Sequence, residues 1–245
     1  MAEISVRTGC DLQSVADVAS ALERFGARYL DRIHTETEQR RYRGRSPDGL
    51  AARFAAKEAV LKLLGRPDID PLTIEILSDD AGRPGVLLHG RAADLARRAG
   101  LGPVDVSLSH DHGRALAVAT AIRTEPSTTS TGTTSTGTTT PASDHAAPTP
   151  ATGDPVTSTA QIESEVRQVL ADHGRLGSDA RALSADADLY AAGLTSHASV
   201  TVMLGLEDAF DVEFPQHLLK KSTFASIAAI SGALDEIGVQ TPEQS

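Results

Sequence analysis

The stretch Arg53-Phe54-Ala55-Ala56-Lys57-Glu58-Ala59-Val60-Leu61-Lys62 decides how the first half of this chain folds. It lies inside a run of helix-favouring residues, which predicts a helix over 50–64 that ends at Gly65. The apolar residues expected to be buried on one side are Phe54, Leu61 and Leu64. The charged residues allow two interpretations. They could form an ordinary solvated helix face, or they could form a phosphate-binding site. In that site Glu58 would hold a cation, and Arg53, Lys57 and Lys62 would bind the phosphate.

Strand and helix patterns alternate on both sides of this helix. We predict a strand over 4–6, helices over 12–29 and 91–99, and hairpins pairing 73–77 with 86–88 and 104–108 with 115–122. Helices interleaved with antiparallel hairpins indicate an α+β domain over residues 1–124. Asp11, at the end of the first strand, is a second carboxylate that could join Glu58 at a Mg²⁺ ion, which commonly takes one or two carboxylates beside substrate phosphates.

Composition and charge divide the chain. Residues 125–159 are almost entirely Thr, Ser, Pro, Gly and Ala, and they predict a disordered linker with a reach of roughly 30 to 35 Å. Residues 1–124 hold 18 Lys and Arg against 17 Asp and Glu, whereas residues 125–245 hold 5 against 16, within a formal net charge of −10. This asymmetry favours two domains with different partners.

The residues beyond the linker show only helical patterns. Three apolar stripes predict a small all-α helical bundle over 160–237, followed by a flexible tail over 238–245. Ser222 and Thr223 are the expected cap of the third helix. The stripes are Ile162, Val166, Val169 and Leu170; Val200, Met203, Leu204, Leu206 and Phe210; and Ile227, Ile230 and Leu234.

Several classes of protein are disfavoured. No cationic face is available for nucleic acid, and no apolar run approaches the roughly 20 residues of a membrane span. The first residues lack a basic segment leading into an apolar core, which argues against a signal peptide. Cys10 is the sole cysteine, so we expect a cytoplasmic protein without internal disulfides.

Four motifs resemble the holo-acyl-carrier-protein synthases, the 4′-phosphopantetheinyl transferases that act on carrier proteins. They are Gly9-Cys10-Asp11-Leu12, the 53–62 stretch, Gly65-Arg66-Pro67 and Val106-Ser107-Leu108-Ser109-His110, in that order. The resemblance covers residues 3–123 and implies an enzyme that moves phosphopantetheine from coenzyme A to a serine. It also implies a homotrimer with sites between subunits, which would place Asp11 of one chain opposite Glu58 of another.

By this resemblance, Asp11 and Glu58 would hold Mg²⁺ on the diphosphate of coenzyme A. The residues expected to line the coenzyme site are Arg53, Lys57, Lys62, Ser107, Ser109 and His110. The family commonly has Gly-Thr-Gly-Ile after this helix, but here residues 64–71 differ, so the coenzyme loop is expected to differ.

The implied chemistry is phosphoryl transfer, in which positioning and charge neutralisation by Mg²⁺ and by the lysines, Lys57 and Lys62, contribute most of the catalysis. The general base is left open between Glu58, acting through a water, and His110. His110 has an alternative role, because it could simply support the turn of Ser109-His110-Asp111-His112-Gly113.

Residues 160–237 resemble an acyl or aminoacyl carrier protein. Residues 188–194 and 206–215 match the segments that flank the acceptor serine in that family. The resemblance implies that Ser196 is the attachment site of covalent 4′-phosphopantetheine. The acceptor motif of carriers is usually Asp-Ser-Leu, but here it is Thr195-Ser196-His197. The lost aspartate is expected to reduce modification by generic synthases, and it is compatible with an unusual cargo such as an aminoacyl group. The cargo and its pathway (fatty acid, polyketide or aminoacyl) stay open. Ser196 could alternatively be only a helix N-cap.

The two predicted domains are complementary in charge. Arg24, Arg28 and Arg32 recur every four residues, and we expect them to meet acidic residues around the second carrier helix, namely Glu207, Asp208, Asp211 and Glu213. The leading hypothesis is a synthase tied to its own carrier, with coenzyme A and other carriers as further partners. The alternatives are a carrier with an inactive synthase, and a synthase with a regulatory appendage.

Overall fold

The computed structural model describes residues 4–44, 46–66, 68–124 and 156–239, with side chains from residue 160 in the last range. The N-terminal domain (residues 4–124) has five strands and five α-helices. The strands are β1 (Ile4–Ser14), β2 (Ile74–Ser78), β3 (Pro84–Leu88), β4 (Leu101–Asp111) and β5 (Arg114–Thr124). The helices are α1 (Val15–Phe25), α2 (Ala27–Ile33), α3 (Glu36–Tyr42), α4 (Pro47–Leu64) and α5 (Gly90–Arg98).

Strand pairing is antiparallel throughout the N-terminal domain. Strands β1, β5 and β4 form one sheet in that order, and β2 pairs with β3 in a separate hairpin. The α+β prediction and both hairpins are confirmed. Helix α4 packs on the three-stranded sheet and on β2, and most of its residues are buried, including Arg53 and Lys57. The solvated-face interpretation of this helix is therefore wrong.

Gly9 fixes the crossing of β1 over α4. A Cβ atom at this position would collide with the carbonyl oxygen of Ala59 and lie 2.7 Å from the backbone nitrogen of Leu63. Only glycine allows the strand to approach the helix backbone this closely. The crossing places Asp11, two residues further along β1, beside the last turns of α4.

The C-terminal domain (residues 156–239) is a helical bundle, as predicted. Helix α6 (Val156–His173) packs on α7 (Ser196–Phe210) and α8 (Ile227–Ile237). Two predicted boundaries are wrong by a few residues: α6 begins inside the proposed linker, and Val239, proposed as tail, is buried. Residues 125–155 of the proposed linker and 240–245 of the proposed tail lie outside the described residues. No described helix is both long enough and apolar enough to cross a membrane.

Three local predictions fail for identifiable reasons. The predicted helix over 12–29 begins late, because β1 extends to Ser14, and it breaks at Gly26, which has a positive φ of 55°. Helix α3 was not predicted, although Thr35 and Glu38 form the capping box that commonly starts a helix. The cap of α8 is Ser226, while Ser222 and Thr223 belong to a short 3-10 turn.

Candidate active site

Two carboxylates and a lysine meet where β1 crosses α4. Lys62 Nζ donates to Asp11 Oδ1 at 2.9 Å and to the carbonyl oxygen of Cys10 at 3.0 Å. Glu58 lies one turn before Lys62 on α4, close enough to both residues that their charges influence its pKa. Since one chain supplies all three side chains, the expectation that Asp11 faces Glu58 across a subunit boundary is wrong.

Ser196 lies at this same site, although it belongs to the C-terminal domain. It is the first residue of α7, and the N-cap is Thr195, whose hydroxyl accepts from the backbone N–H of Ala198 at 3.1 Å. The N-cap alternative for Ser196 is therefore wrong, and its exposed side chain is available for chemistry. Ser196 and Glu58 line the same cavity, and hydrogen bonding from Ser196 acts to lower the pKa of Glu58.

The electrostatic environment of Glu58 suits a proton acceptor. Burial is the main cause that raises its pKa, and the nearby charge of Asp11 raises it further. The Ser196 hydrogen bond and the positive charges of Lys62 and Lys221 act in the opposite direction. The two neighbouring carboxylates repel each other, and a cation between them would relieve that repulsion.

Charged residues at one edge hold the two domains together. Arg28 pairs with Asp208 and, at 2.9 Å, with Glu207; Arg32 pairs with Glu207 at 2.7 Å and with Glu213 at 3.2 Å. This confirms the predicted match for Arg28 and Arg32, which lie on α2. Arg24 lies over the ring of the neighbouring Phe25. Asp211 is the C-cap residue of α7.

An aromatic cluster forms the apolar centre of the interface. The His197 ring, next to Ser196, is 4% exposed and packs edge-on against Tyr29 and Phe54 at centroid distances of 5.5 and 5.4 Å. His197 Nε2 and Tyr29 Oη are hydrogen-bonded at 2.8 Å. Burial lowers the pKa of His197 to about 4, so the imidazole is neutral at physiological pH.

A cavity of about 130 Å³ opens beside Ser196 between the domains. Its lining comes from both sides and includes Phe54, Glu58, Leu61, Tyr190, Met203 and Lys221. Lys221 lies over the Tyr190 ring, 4.3 Å from its centroid. Both domains therefore contribute apolar side chains to the cavity, and its charged groups include Glu58 from α4 and Lys221 from the carrier domain.

Arg53 and Lys57 do not reach this site within the described chain. Lys57 is fully buried, pairs with Glu38 at 2.7 Å and donates to the carbonyl oxygen of Pro71 at 3.1 Å. Arg53 stacks on the Tyr42 ring, 3.5 Å from its centroid, and donates to Gly49 and Ser78. Both are engaged in holding α4, and their assignment to coenzyme A stays a prediction without support from this geometry.

Ser107 and Ser109 lie on the other face of the sheet. They pair with Val118 and Leu116 of β5, whereas Asp11 pairs with Ala117 and shares the face that α4 covers. Side chains of neighbouring residues in a strand point to opposite faces. Within one chain, the structure therefore separates the two serines from Asp11 and Glu58.

His110 is exposed near the end of β4 and is not among the described residues that line the cavity beside Ser196. Of the two candidates for general base, only Glu58 lines this cavity together with Ser196. His112, with a positive φ of 47°, and Gly113 form the turn that follows β4.

The donor set fits a hard divalent cation. Asp11 and Glu58 present carboxylate oxygens at one site, which is the type of ligand that Mg²⁺ prefers. No cluster of three His, Cys, Asp or Glu suited to a metal occurs among the described residues, so any such ion would need oxygens from a substrate or from water.

The segment after α4 differs from the common family loop, as the sequence indicated, and charged contacts fasten its described part. Asp68 accepts from Arg66 at 2.9 and 3.1 Å and from Arg91 at 2.9 Å. These contacts lower the pKa of Asp68 to about 2. Asp70 starts the following 3-10 turn and accepts from Gln216 of the C-terminal domain at 3.0 Å.

Sequence reasoning missed three residues at this interface: Tyr29, Tyr190 and Lys221. Tyr29 was visible only as the end of an amphipathic stripe, a signal shared by ordinary core residues. Tyr190 lies within the carrier-like stretch before Ser196, but nothing local to it indicates contact with Glu58 or Lys221. The replacement of the usual leucine by His197 was the one available signal, because a buried histidine requires a polar partner.

Comparison with known proteins matches the two domains separately. Residues 7–120 match the 4′-phosphopantetheinyl transferase superfamily, and residues 164–234 match the phosphopantetheine attachment site family. The chain is 41% identical over 115 residues to the holo-[acyl-carrier-protein] synthase of Dehalococcoides mccartyi, covering 46% of this chain and 96% of that protein.

The second domain is 51% identical over 69 residues to an aminoacyl carrier protein of Agrobacterium fabrum, covering 28% of this chain and 83% of that protein. Among solved structures, the Helicobacter pylori holo-[acyl-carrier-protein] synthase in complex with coenzyme A is 26% identical, with a TM-score of 0.42, covering 48% of this chain and 99% of that one. The chain belongs to the holo-acyl-carrier-protein synthases of the 4′-phosphopantetheinyl transferase superfamily, and it also carries a phosphopantetheine-attachment carrier domain.

Proposed function

We propose that this enzyme transfers 4′-phosphopantetheine from coenzyme A to Ser196 of its own carrier domain, with Mg²⁺ held by Asp11 and Glu58. One observation carries the proposal: Ser196 and Glu58 line the same cavity inside a single chain, and Ser196 influences the pKa of the Glu58 carboxylate. The arginine contacts to α7 and the aromatic cluster support the same docked arrangement.

The reaction forms a bond between Ser196 Oγ and the β-phosphorus of coenzyme A. The bond from that phosphorus to the oxygen bridging the two phosphates breaks, and 3′,5′-ADP leaves with the electron pair. Glu58, which lines the same cavity as Ser196, accepts the Ser196 proton directly or through a water. Lys62 places a positive charge beside the diphosphate, and α7 presents its N-terminus to the product phosphodiester.

Mg²⁺, when bound, neutralises charge on the diphosphate and polarises the phosphoryl oxygens. Asp11 and Glu58 would hold it, and the Lys62 ammonium that now pairs with Asp11 would turn to the substrate phosphates. We assign no catalytic role to His110.

The cargo we propose is an aminoacyl group rather than a fatty acyl chain. The carrier domain is 51% identical to an aminoacyl carrier protein, and its acceptor motif departs from the usual Asp-Ser-Leu. Modification of other carriers and a cytoplasmic location remain part of the proposal.

An exposed apolar sheet face supports the expected homotrimer. Val6 pairs with Ile122 and Leu12 with Leu116 on the face opposite α4, and all four are between 42% and 67% exposed. Apolar side chains clustered on one sheet face favour association with another copy. Ile122→Glu should shift the protein to monomers in sedimentation, whereas Leu87→Glu, on the separate β2–β3 hairpin, should not. Trimers that persist in Ile122→Glu would place the interface elsewhere.

The primary test is the intact mass of the purified apo protein, before and after incubation with coenzyme A and Mg²⁺. A gain of one phosphopantetheine group located on Ser196, absent in Ser196→Ala, supports the proposal. The Ser196→Ala chain should still modify a separate carrier. No gain in the wild-type chain would favour the alternative of a carrier that another enzyme loads.

A mixing experiment separates transfer within a chain from transfer between chains. A Ser196→Ala chain retains the catalytic residues, and a Glu58→Gln chain retains the acceptor. If transfer occurs within a chain, as the docked arrangement favours, the mixture should gain phosphopantetheine far more slowly than the wild-type protein. Equal rates would contradict transfer within a chain.

A further inference from the structure

The contact between Tyr29 and His197 joins a synthase residue to the carrier residue that follows the acceptor serine. The Tyr29 side chain is fully buried and His197 is 4% exposed, so both polar groups lose water when the carrier domain docks. Their mutual hydrogen bond of 2.8 Å replaces those lost water contacts. Phe54 packs edge-on against the same imidazole ring, at 5.4 Å, and leaves little room for a different partner.

This buried pair differs in kind from the exposed ion pair of Arg28 and Asp208 at the edge. The Arg28 side chain is 47% exposed and Asp208 is 44% exposed, so their attraction is screened and any acidic carrier helix could replace it. A buried hydroxyl is more selective, because a partner without a polar atom leaves it unsatisfied. A binding site that hydrogen-bonds a polar group of its partner strongly rejects a partner that lacks this group. An apolar pocket discriminates much less between partners that differ by one methylene group.

We propose that Tyr29 and His197 form a recognition pair by which the synthase domain selects its own carrier over carriers with an apolar residue after the acceptor serine. The proposal rests on the proposed function, since it requires Ser196 to be the acceptor. The Asp-Ser-Leu motif of ordinary carriers presents leucine at this position, which would bury the Tyr29 hydroxyl without a partner. The carrier domain carries histidine there, and histidine fits the hydroxyl.

The test is a double-mutant cycle in the full chain, measured as the single-turnover rate of phosphopantetheine gain on Ser196. His197→Leu should lower the rate roughly tenfold, because the Tyr29 hydroxyl is left unsatisfied. Tyr29→Phe should lower it by a similar factor, because it leaves the imidazole unsatisfied. The double variant should be faster than either single variant, since it removes both polar groups.

His217→Leu is the matched control. It makes the same chemical change in the carrier domain, but His217 is exposed and pairs with Glu236 of the same domain. Its rate should equal that of the wild-type chain, and the thermal unfolding midpoints of all variants should confirm that the domains stay folded.

A competition measurement adds a readout that a purely structural role would not change. A separate acyl carrier protein with leucine after its acceptor serine is offered together with the full chain. Tyr29→Phe should shift the ratio of modified separate carrier to modified Ser196 toward the separate carrier, roughly tenfold.

Two outcomes overturn the inference alone: single variants that modify Ser196 at the wild-type rate, or a double variant whose loss is the product of the single losses. An unmodified Ser196 in the wild-type chain overturns the proposed function and this inference with it. An unchanged carrier ratio in Tyr29→Phe also counts against the recognition pair.

Discussion

Besides burial and Lys221, three side chains influence the pKa of Glu58: Ser196 through hydrogen bonding, and Asp11 and Lys62 through their charges. Each of the three belongs to a different element, namely α7, β1 and α4. The residue therefore connects the acceptor, the second candidate metal ligand and the cation expected at the diphosphate.

Glu58→Gln should lower the rate of Ser196 modification by at least about 100-fold, because the amide neither accepts the serine proton nor provides a full charge for a metal ion. The measurement is a time course of intact mass with coenzyme A and Mg²⁺. Glu236→Gln, an exposed carboxylate on α8, is the matched control and should leave the rate unchanged. A Glu58→Gln chain with normal rates would remove Glu58 from the chemistry.

Docking of the two domains should weaken in mild acid because of His197. In the docked chain, burial and the nearby charge of Arg175 lower the pKa of His197 to about 4, against 6.5 for an ordinary histidine, while Asp17 acts in the opposite direction. Below about pH 6.5, the undocked imidazole binds a proton that the docked one does not, so the undocked form gains stability. Between pH 6.5 and pH 4, the loss of docking free energy approaches about 1.4 kcal/mol for each unit of pH decrease.

Small-angle X-ray scattering at pH 7.5, 6.5 and 5.5 measures this change as an increase in the radius of gyration. His197→Leu should remove most of the pH dependence, leaving a part from His173, whose pKa burial at the same interface also lowers. His217→Leu should retain the wild-type pH dependence. A radius that stays constant down to pH 5.5 would contradict a neutral buried His197.

At the scale of elements, the crossing of β1 over α4 creates the Asp11–Lys62 contact. Gly9→Ala should destabilise the N-terminal domain by about 1–3 kcal/mol or more, because the added methyl group meets the α4 backbone, which has no means of moving aside. Thermal unfolding measures the loss. Gly49→Ala in the same domain is the control, since its Cβ would meet only the end of the Arg53 side chain, at 3.6 Å. Equal stability of the two variants would contradict the close crossing.

Helix α3 shows why a charged residue can serve the fold. Glu38 caps α3 through Thr35, accepts from the backbone of Ile76 on β2 and pairs with Lys57 on α4. Removing one partner of a buried ion pair is strongly destabilising, by about 3–5 kcal/mol. Glu38→Ala should therefore lower the unfolding midpoint markedly, whereas Glu36→Ala, exposed on the same helix, should change it little. Lys57, which the sequence suggested as a phosphate ligand, instead makes an ion pair that joins α4 to α3.

For the whole molecule, the arginines of α2 and the acids of the carrier domain set how fast the domains meet. Added salt should slow self-modification, because exposed charges are screened within about 10 Å at 0.1 M ionic strength. Arg32→Gln should slow it further and reduce the salt dependence, since the buried Glu207 loses one of its two arginine partners. The measurement is the single-turnover rate between 0.05 and 0.5 M salt. Arg97→Gln, whose ion pair with Asp94 lies on α5, should behave like the wild-type chain.

The sequence by itself determined most of the local structure and identified the candidate site residues. Helix α4, both hairpins and the three main carrier helices follow from periodicity and from turn residues, which act over a few positions. Asp11, Glu58, Lys62 and Ser196 were identifiable because they belong to short motifs. The match of Arg28 and Arg32 with the carrier acids was predictable from the spacing and sign of the charges together with the family resemblance.

Only the tertiary structure decided which of the predicted residues meet. Lys57 turned out to be buried against Glu38, Ser107 and Ser109 lie on the sheet face away from Asp11, and His197 pairs with Tyr29. These outcomes depend on strand register, helix crossing and docking between residues up to 168 positions apart. Hydrogen bonds and burial depend on which residues are close in space. Local sequence patterns extend over only a few positions, so they do not predict contacts between residues that are far apart in the chain.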